Sequence, residues 1–403
     1  MKKTVITITV IVFAVIAAFV WPGFLTISTK DSAVDQEKYL GNRVNSAGIY
    51  SSPSNGLFYS PVNLAVNPMD KLMLIDIDDD PEYTTIELQT FNDERGRGAR
   101  VILYHHQGPA DSYYTDEAFV LKESDHDRFF IAPDMTYNFN VTTSGLEASL
   151  KMRDHKGKPV EFRVRETSRK KWSKGFLAPI GVSSAITFEY FPFFHMKDMN
   201  FVLRSGTEIS IKIGGKERKA KKLPLPVDRE LVYLSRYTAF PVIGCWNRPH
   251  DGALKPFKPG QQMAYRDGRT LYELVNNSGH YEIRRITAFN SSHKASLDFS
   301  PAIPDLPCLK DGLEIKGRFS AGADGITGIV AGEYSVIRRG NIITMEIRPL
   351  EAWQPIPGTI WVRNWTWNGT ISAGTNSNLS MKSGWNRKDR KSTRLNSSHT
   401  VLS

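Results

Sequence analysis

Short segments of alternating polar and apolar residues recur along the chain, and turn sequences separate them. This pattern limits the possible folds of the chain more than any other feature of the sequence. Residues 137–141 and 162–165 alternate strictly, as strands do when one face meets a core and the other meets water. Residues 85–91 and 100–105 are predicted to pair across a turn, and Asp154-His155-Lys156-Gly157 is typical of a hairpin turn. The first half of the chain is therefore predicted to consist of β-hairpins.

The second half repeats this pattern, with turns rich in Asn and Gly between strand-like segments. Its predicted strand pairs are 271–275 with 280–286 and 332–337 with 342–347. The 30 Gly and 22 Pro residues also favour many short strands joined by turns. We predict an all-β protein of two antiparallel β-rich halves, each a barrel or a sandwich. A pair of lipocalin-like barrels is an analogy at the level of the fold.

The length of 403 residues allows two domains, because single cores rarely grow beyond about 250–300 residues. Residues 250–262 are rich in Pro, Gly and Lys, which favours a linker between domains. The predicted β domains are then 61–249 and 263–388.

The N-terminus has the pattern of a membrane anchor. After Lys2 and Lys3, an apolar run begins at Thr4 and extends to Leu25, and about 22 residues suffice to cross a bilayer core of about 30 Å. Trp21 suits the membrane interface, and the two lysines favour a cytoplasmic N-terminus. We predict an uncleaved signal-anchor and transmembrane helix at 1–25, with a cleaved signal peptide as the alternative. The polar residues 26–60 are predicted to be a tether, and the body is predicted to lie outside the inner membrane of a bacterial envelope.

The C-terminal residues have a sequence unlike the rest of the chain. The segment Asp389–His399 resembles the in-frame translation of a sequencing-adapter oligonucleotide, so residues 389–403 are interpreted as an artefact and not as native protein. The formal net charge is +10. Without Asp389 and the three basic residues that follow it, the net charge falls by two. Leaving out Lys2 and Lys3 of the predicted anchor lowers it by two more, to about +6. A charge this modest does not indicate a nucleic-acid partner.

An aromatic stretch in the middle of the chain, residues 175–215, provides the first candidate site. It is predicted to form a strand, a loop broken by Pro192, and a second strand. The aromatic residues proposed to contact a ligand are Phe188, Tyr190, Phe193 and Phe194. Exposed aromatic clusters of this density mark ligand, partner or membrane surfaces, whereas buried ones are core.

A second aromatic set lies near the end of the native chain. Trp361, Trp365 and Trp367 share strand parity, so they would occupy one face of one strand. Such a row is either a stacking platform for a sugar or an apolar ligand, or part of the core. We include the three residues among the candidate ligand-binding residues.

Catalytic chemistry has weak support in the sequence. The chain lacks the serine-elbow, His-Glu-x-x-His, phosphate-loop and dinucleotide motifs. The candidate catalytic residues are Glu189, His195 and Asp198, the titratable groups close to the aromatic stretch. Strand parity places Glu189 opposite Phe188 and Tyr190, which favours apolar binding over catalysis there.

Cysteine and acidic residues define the remaining sequence predictions. Cys245 and Cys308 are the only two cysteines and are candidates for one disulfide between the halves. Two thiols alone cannot make a structural zinc site. The acidic residues between Asp76 and Glu82 lack the calcium-loop pattern, so a solvated turn is favoured. No metal or cofactor is predicted.

These observations favour a membrane-anchored, extracytoplasmic binding protein whose ligand is a lipid or another apolar or amphipathic small molecule. Two alternatives remain open. One is a carbohydrate-active or lipid-modifying enzyme that uses scattered acidic residues. The other is a structural partner in an envelope complex.

Overall fold

A computed structural model describes residues 41, 44–46, 48–93, 96–106, 111–117, 129–143, 145–168, 172–178, 191–224, 231–260, 262–290, 293–323, 329–352, 365–374 and 378–387. Across these residues the chain forms β-strands and a 3₁₀ turn at Leu306–Cys308, with no α-helix. The all-β prediction is confirmed. The predicted anchor at 1–25 and the segment 389–403 lie outside the described residues. In the described part of the chain, no helix of a length and apolarity suited to crossing a membrane is found.

The strands are numbered in chain order. The first half contains β1 Phe58–Tyr59, β2 Leu64–Val66, β3 Met69–Asp76, β4 Tyr83–Asp93, β5 Gly96–His105, β6 Ser112–Thr115, β7 Phe129–Ile131, β8 Thr136–Thr142, β9 Gly145–Arg153, β10 Pro159–Glu166, β11 Trp172–Ala178, β12 Phe191–Leu203, β13 Thr207–Ile213, β14 Lys216–Arg218, β15 Val232–Thr238 and β16 Pro241–Trp246. The remainder contains β17 His250–Ala253, β18 Pro256–Phe257, β19 Ala264–Asp267, β20 Thr270–Asn277, β21 His280–Phe289, β22 Lys294–Ile303, β23 Glu314–Ala323, β24 Ile329–Arg339, β25 Ile342–Ala352, β26 Trp365–Ala373 and β27 Leu379–Arg387.

These strands form three larger sheets and the small pair β1–β18. A first ten-stranded sheet has the order β2-β16-β12-β15-β3-β4-β5-β6-β7, with β11 also paired to β12. A five-stranded sheet has the order β14-β13-β10-β9-β8, and a second ten-stranded sheet runs β17-β27-β26-β25-β24-β23-β22-β21-β20-β19. The strand pairs are antiparallel except β6 with β7. The sheets are open, so the barrel alternative is not what the described residues form.

The first ten-stranded sheet and the five-stranded sheet pack face to face as a sandwich. On β10, Val160, Phe162 and Val164 are buried, and the residues between them are more exposed. This is the period-2 pattern that the sequence predicts for a strand with one core face. Val160, Phe162 and Val164 share one hydrophobic core with residues of β4 and β5, including Ile86 and Val101.

The second ten-stranded sheet is a meander that curves around side chains from the first half. Strands β23 and β27 are four strand spacings apart, about 19 Å across a flat sheet. Yet the ring of Trp246 on β16 lies 4.8 Å from that of Phe319 on β23 and 5.4 Å from that of Trp385 on β27. The face of this sheet is therefore concave, and Trp246 fills it.

The predicted linker and part of the predicted tether are built into the sheets. Within residues 250–262, β17 pairs with β27 and β18 pairs with β1. Tyr50 forms a bridge with Leu309, and the N–H of Lys310 donates to the carbonyl of Ile49. Residues 48–60 are thus docked on the second half, which corrects the tether prediction for this part. The apolar residues Ile49, Phe58 and Leu64 make this docking favourable because they join the same core as Trp246.

The central aromatic stretch also differs from its prediction. Residues 193–196 were predicted to form a loop after Pro192, but they lie within the continuous strand β12. The first part of β12 pairs with β16, where Pro192 lies opposite Cys245, and its later part pairs with β15. A proline is compatible with a strand where its missing N–H is not needed for a ladder bond. Long-range pairing with β16 therefore outweighs the local turn signal.

The acidic turn before β4 is solvated at Asp78 and Asp79, as predicted, but its other acidic residues are tied to their neighbours. Asp76 pairs with Arg236 at 2.5 Å, and the buried Asp80 pairs with Arg218 at 2.8 Å. Glu82 bonds to Lys156, at 2.9 Å, and to Lys158. The Glu82 contacts join the first ten-stranded sheet to the β9–β10 hairpin, and the Asp80 pair joins it to β14, both in the five-stranded sheet.

We expect the contacts of Glu82 at this junction to make the stability of the protein depend on pH in the acidic range. The hydrogen bond from Lys158, followed by that from Lys156, lowers the pKa of Glu82 from 4.5 to about 2. A carboxyl with a depressed pKa in the folded state stabilises the fold above its unfolded pKa, and this stabilisation is lost as the pH falls from about 4.5 towards about 2. Glu82→Gln should lower the melting temperature at pH 7, at a cost of about 1 kcal/mol for a partly exposed pair, and the difference should vanish near pH 2.

Glu161→Gln is the matched control, because among the described residues the ion pair of Glu161 is a long, exposed contact of 3.8 Å with Lys151. Thermal melts across this pH range should show little difference between this variant and the wild type. A Glu82→Gln effect that stays the same at low pH would contradict the assignment.

Candidate functional site

The predicted aromatic and catalytic site is only partly within the described residues. Phe188, Glu189, Tyr190 and Trp361 lie outside them. Phe193, Phe194 and Asp198 lie on the described backbone of β12, but their side chains are not among those described. Their predicted roles remain predictions.

His195 is deeply buried in the first ten-stranded sheet. It lies on β12 opposite Val242 of β16 and Leu177 of β11, and it is 1% exposed. Desolvation lowers the pKa of His195 to about 3, so the imidazole is neutral near pH 7. A base of such low pKa is poorly matched to proton transfer near neutral pH, and this weakens the case for His195 as the catalytic base.

The two described tryptophans of the C-terminal row are core residues. Trp367 is fully buried. The ring of Trp365 lies 5.4 Å from that of Phe191 and 6.0 Å from that of Trp385. Both side chains face the concave interior that Trp246 fills, so the core alternative describes them better than an open stacking platform does.

The predicted disulfide is absent, because Cys245 and Cys308 are separate buried thiols that are not bonded to each other. Cys245 packs with residues such as Met69 and Ile243 in a small cluster of the first ten-stranded sheet. Cys308 lies instead in the 3₁₀ turn that follows β22. The two thiols therefore belong to different packing environments.

A buried polar cluster was not predicted from the sequence. It lies under the docked residues between Val44 and Ser60, which we call the N-terminal segment. Its centre is Glu282 on β21, which has no exposed surface. One oxygen of its carboxylate accepts from the Tyr50 hydroxyl at 2.6 Å and from the Asn277 amide at 2.8 Å. The other accepts from the Asn45 N–H at 3.3 Å. These bonds satisfy a buried carboxylate and fix Asn45 and Tyr50 on the sheet.

The same cluster continues to three residues of different chemistry. His280 Nδ1 lies 2.8 Å from an oxygen of Asp305, and the Tyr50 ring stacks on the His280 ring with centroids 3.7 Å apart. The Asp305 N–H donates to the Tyr50 hydroxyl at 3.2 Å. Cys308 completes the group, and one potential metal-ligating atom from each of His280, Asp305 and Cys308 lies within 4.8 Å of the others.

The electrostatics of this cluster reflect its burial. Desolvation, together with the negative charge of Asp305, raises the pKa of the Cys308 thiol to about 12. Burial and the hydrogen bond to Glu282 hold the pKa of the Tyr50 phenol well above its usual value. Both groups are therefore protonated near pH 7, and Cys308 has no thiolate character that would make it a nucleophile.

A shallow cavity of about 300 Å³, largely open to solvent, lies beside the polar cluster. One wall is the N-terminal segment, with Val44, Asn45, Ser46 and Ile49, and the other comprises Pro301 and residues 313–316. Asn45 belongs to both features, since its backbone N–H bonds to Glu282 and its side chain donates to the carbonyl of Ala302 at 2.8 Å. Docking of the N-terminal segment thus creates the cavity.

Family models, curated proteins and solved structures gave no match to this chain.

The polar cluster is not apparent in the sequence because its parts are far apart in the chain. Asn45 and Glu282 are 237 residues apart, and His280 follows a turn that resembles the other hairpin turns. Asp305 and Cys308 were the one local signal, because a carboxylate and a thiol three residues apart in a Pro-flanked segment can face the same side of a turn.

Proposed function

We propose that this protein is a membrane-anchored, extracytoplasmic binding protein for an amphipathic lipid. The observation that carries the proposal is the cavity between the docked N-terminal segment and β23. Its volume of about 300 Å³ is at the lower end of the range of about 300–1,000 Å³ that small-molecule sites occupy. Polar and apolar groups contribute about equally to the lining, which suits an amphipathic ligand better than a purely apolar one.

The lining indicates the class of ligand. The apolar part consists of Val44, Ile49, Pro301, Leu313 and Ile315. This part suits a hydrocarbon chain. The charged part is an ion pair between Lys316 and Glu314 at 3.1 Å, whose side chains are exposed enough that the pair contributes little stability and can rearrange. One cation and one anion beside an apolar wall suit a lipid with a zwitterionic headgroup.

The position of the cavity suits a ligand taken from a membrane. Its first wall begins at Val44, and the predicted transmembrane helix ends near residue 25. The 18 residues between them can span at most about 60 Å. The proposed site would then lie within reach of the bilayer surface from which an envelope lipid leaves.

A titration with lysophosphatidylethanolamine below its critical micelle concentration tests the proposal. Residues 26–388 should bind it saturably and melt at a higher temperature in its presence, because a ligand that binds only the folded state stabilises that state. Val44→Glu places a carboxylate in the apolar wall and should weaken binding at least about tenfold, or ~1.4 kcal/mol.

Ile131→Glu provides the matched control. Ile131 is also an exposed β-branched residue, but it lies on β7 and does not line the cavity. This variant should bind as the wild type does. Absence of saturable binding in the wild type, or equal weakening in both variants, would contradict the proposed site.

A further inference from the structure

The geometry points to a zinc site formed by His280, Asp305 and Cys308 beneath the docked N-terminal segment. The proposal does not depend on lipid binding, because none of these three residues lines the cavity. A metal here would hold the 3₁₀ turn and the hairpin end together, at the place where the N-terminal segment is attached.

The three ligand types fit zinc. Imidazole nitrogen, carboxylate oxygen and thiolate sulfur are the donors that Zn²⁺ uses in proteins. The sulfur and nitrogen donors argue against Mg²⁺ and Ca²⁺, which prefer sets of oxygen ligands. With bond lengths of about 2.0–2.3 Å, ligand atoms around zinc lie about 3–4 Å apart. The atoms here lie within 4.8 Å of one another, so small side-chain movements would complete the coordination.

A second observation is independent of this spacing. Asp305 is 2% exposed, and its Oδ1 atom has no hydrogen-bond partner within the described residues. An unsatisfied carboxylate oxygen in the interior is costly, unless a cation or a donor reaches it. Arg338 does not fill this role, because its guanidinium donates to the carbonyls of Pro307 and Leu309.

The surrounding residues would orient the ligands. Tyr50 covers one face of the His280 ring, and its hydroxyl bridges the Glu282 carboxylate to the N–H of Asp305. Metal ligands are commonly held by hydrogen bonds of this kind from a surrounding layer of residues. The Tyr50 hydroxyl is occupied by these two bonds, so three protein ligands leave the fourth position of a tetrahedral site for water.

Binding requires one proton to leave and no redox change. Zn²⁺ forms a bond to the Cys308 sulfur, and the thiol proton is released to solvent. The metal would connect the turn at 305–308 to β21. Since the carbonyl of Cys308 accepts from the N–H of Ser51, the same metal would also secure the N-terminal segment.

Metal analysis of the full-length chain tests this site. The purified protein should retain about one equivalent of zinc. After chelation and addition of Co²⁺, it should show a thiolate-to-cobalt charge-transfer band in the near ultraviolet. Cys308→Ser should abolish that band, and Asp305→Asn, which keeps the shape of the side chain, should weaken zinc binding at least about tenfold.

Cys245→Ser is the control, because Cys245 is the other buried cysteine and lies in a different cluster. It should keep both the zinc and the cobalt band. The proposal is overturned if the wild type binds neither metal, if Cys308→Ser keeps the band, or if Cys245→Ser loses it. If Cys308→Ser does not fold, the stoichiometry of the wild type and the affinity of Asp305→Asn still decide the question.

Discussion

Trp246→Ala is expected to lower the free energy of unfolding by about 3–5 kcal/mol, the range for truncation of a large buried aromatic side chain. Trp246 has no exposed surface and makes edge contacts with Phe191, Phe319 and Trp385. Its removal leaves a void where the concave second sheet meets the first half, and the surrounding rings can close this void only in part. Chemical denaturation of wild type and variant measures the difference.

Phe240→Ala is the matched control for this prediction. Phe240 is also a large aromatic residue near β16, but it is 45% exposed. Its truncation should cost less than about 1 kcal/mol, as substitutions away from the core usually do. Similar losses in both variants would mean that Trp246 does not join the two halves.

Glu282→Ala should cost about 3–4 kcal/mol and release the N-terminal segment. It leaves the Tyr50 hydroxyl, the Asn277 amide and the Asn45 N–H without their acceptor, and each unsatisfied buried donor costs about 1–3 kcal/mol before the site relaxes. Denaturation measures the loss of stability. Limited proteolysis should show faster cleavage within residues 44–60 than in the wild type.

Two variants give this prediction its controls. Glu282→Gln keeps one acceptor oxygen and should lose less stability than the alanine variant. Glu333→Ala removes an exposed glutamate that contacts Arg348 at 3.4 Å, and it should change stability by less than about 1 kcal/mol. Unchanged proteolysis in Glu282→Ala would show that the polar cluster does not hold the segment.

The hairpins were predictable because their signals are local. Asn276-Asn277-Ser278-Gly279 and Arg338-Arg339-Gly340-Asn341 each carry turn residues between alternating segments, and both occur as predicted, between β20 and β21 and between β24 and β25. In both cases the register needs only neighbouring strands, and the pattern of apolar residues fixes which face is buried. Fold class therefore follows from information contained within about 20 residues.

The long-range pairings were not predictable in the same way. Pro192 is a local reason to end a strand, and only the partner β16, about 50 residues later, explains why β12 continues. Residues 48–60 contain several Ser and Gly residues and therefore resemble a tether in the sequence. The surface on which they dock comes from β21 and the turn after β22, so local sequence does not reveal it. Strand parity placed Trp365 and Trp367 on one face, but only the curvature of the sheet shows that this face is interior.

The candidate site was hidden for the same physical reason. Glu282 is one of many glutamates in the sequence, and its burial becomes necessary only when Tyr50, Asn45 and Asn277 converge on it. His280, Asp305 and Cys308 likewise become a set of possible ligands only after β21 and the 3₁₀ turn are brought together. In the sequence the two cysteines suggest a pair with each other, whereas in the structure Cys308 lies with a histidine and an aspartate.

The lipid site between the N-terminal segment and β23 is tested most directly by photolabelling. The probe is a lysophosphatidylethanolamine that carries a diazirine in its acyl chain. Mass spectrometry of the digested protein should place the label within residues 44–49 and 313–316, and excess unlabelled lipid should remove it. Labelling that is confined to other parts of the chain, or that excess lipid does not reduce, would contradict the account.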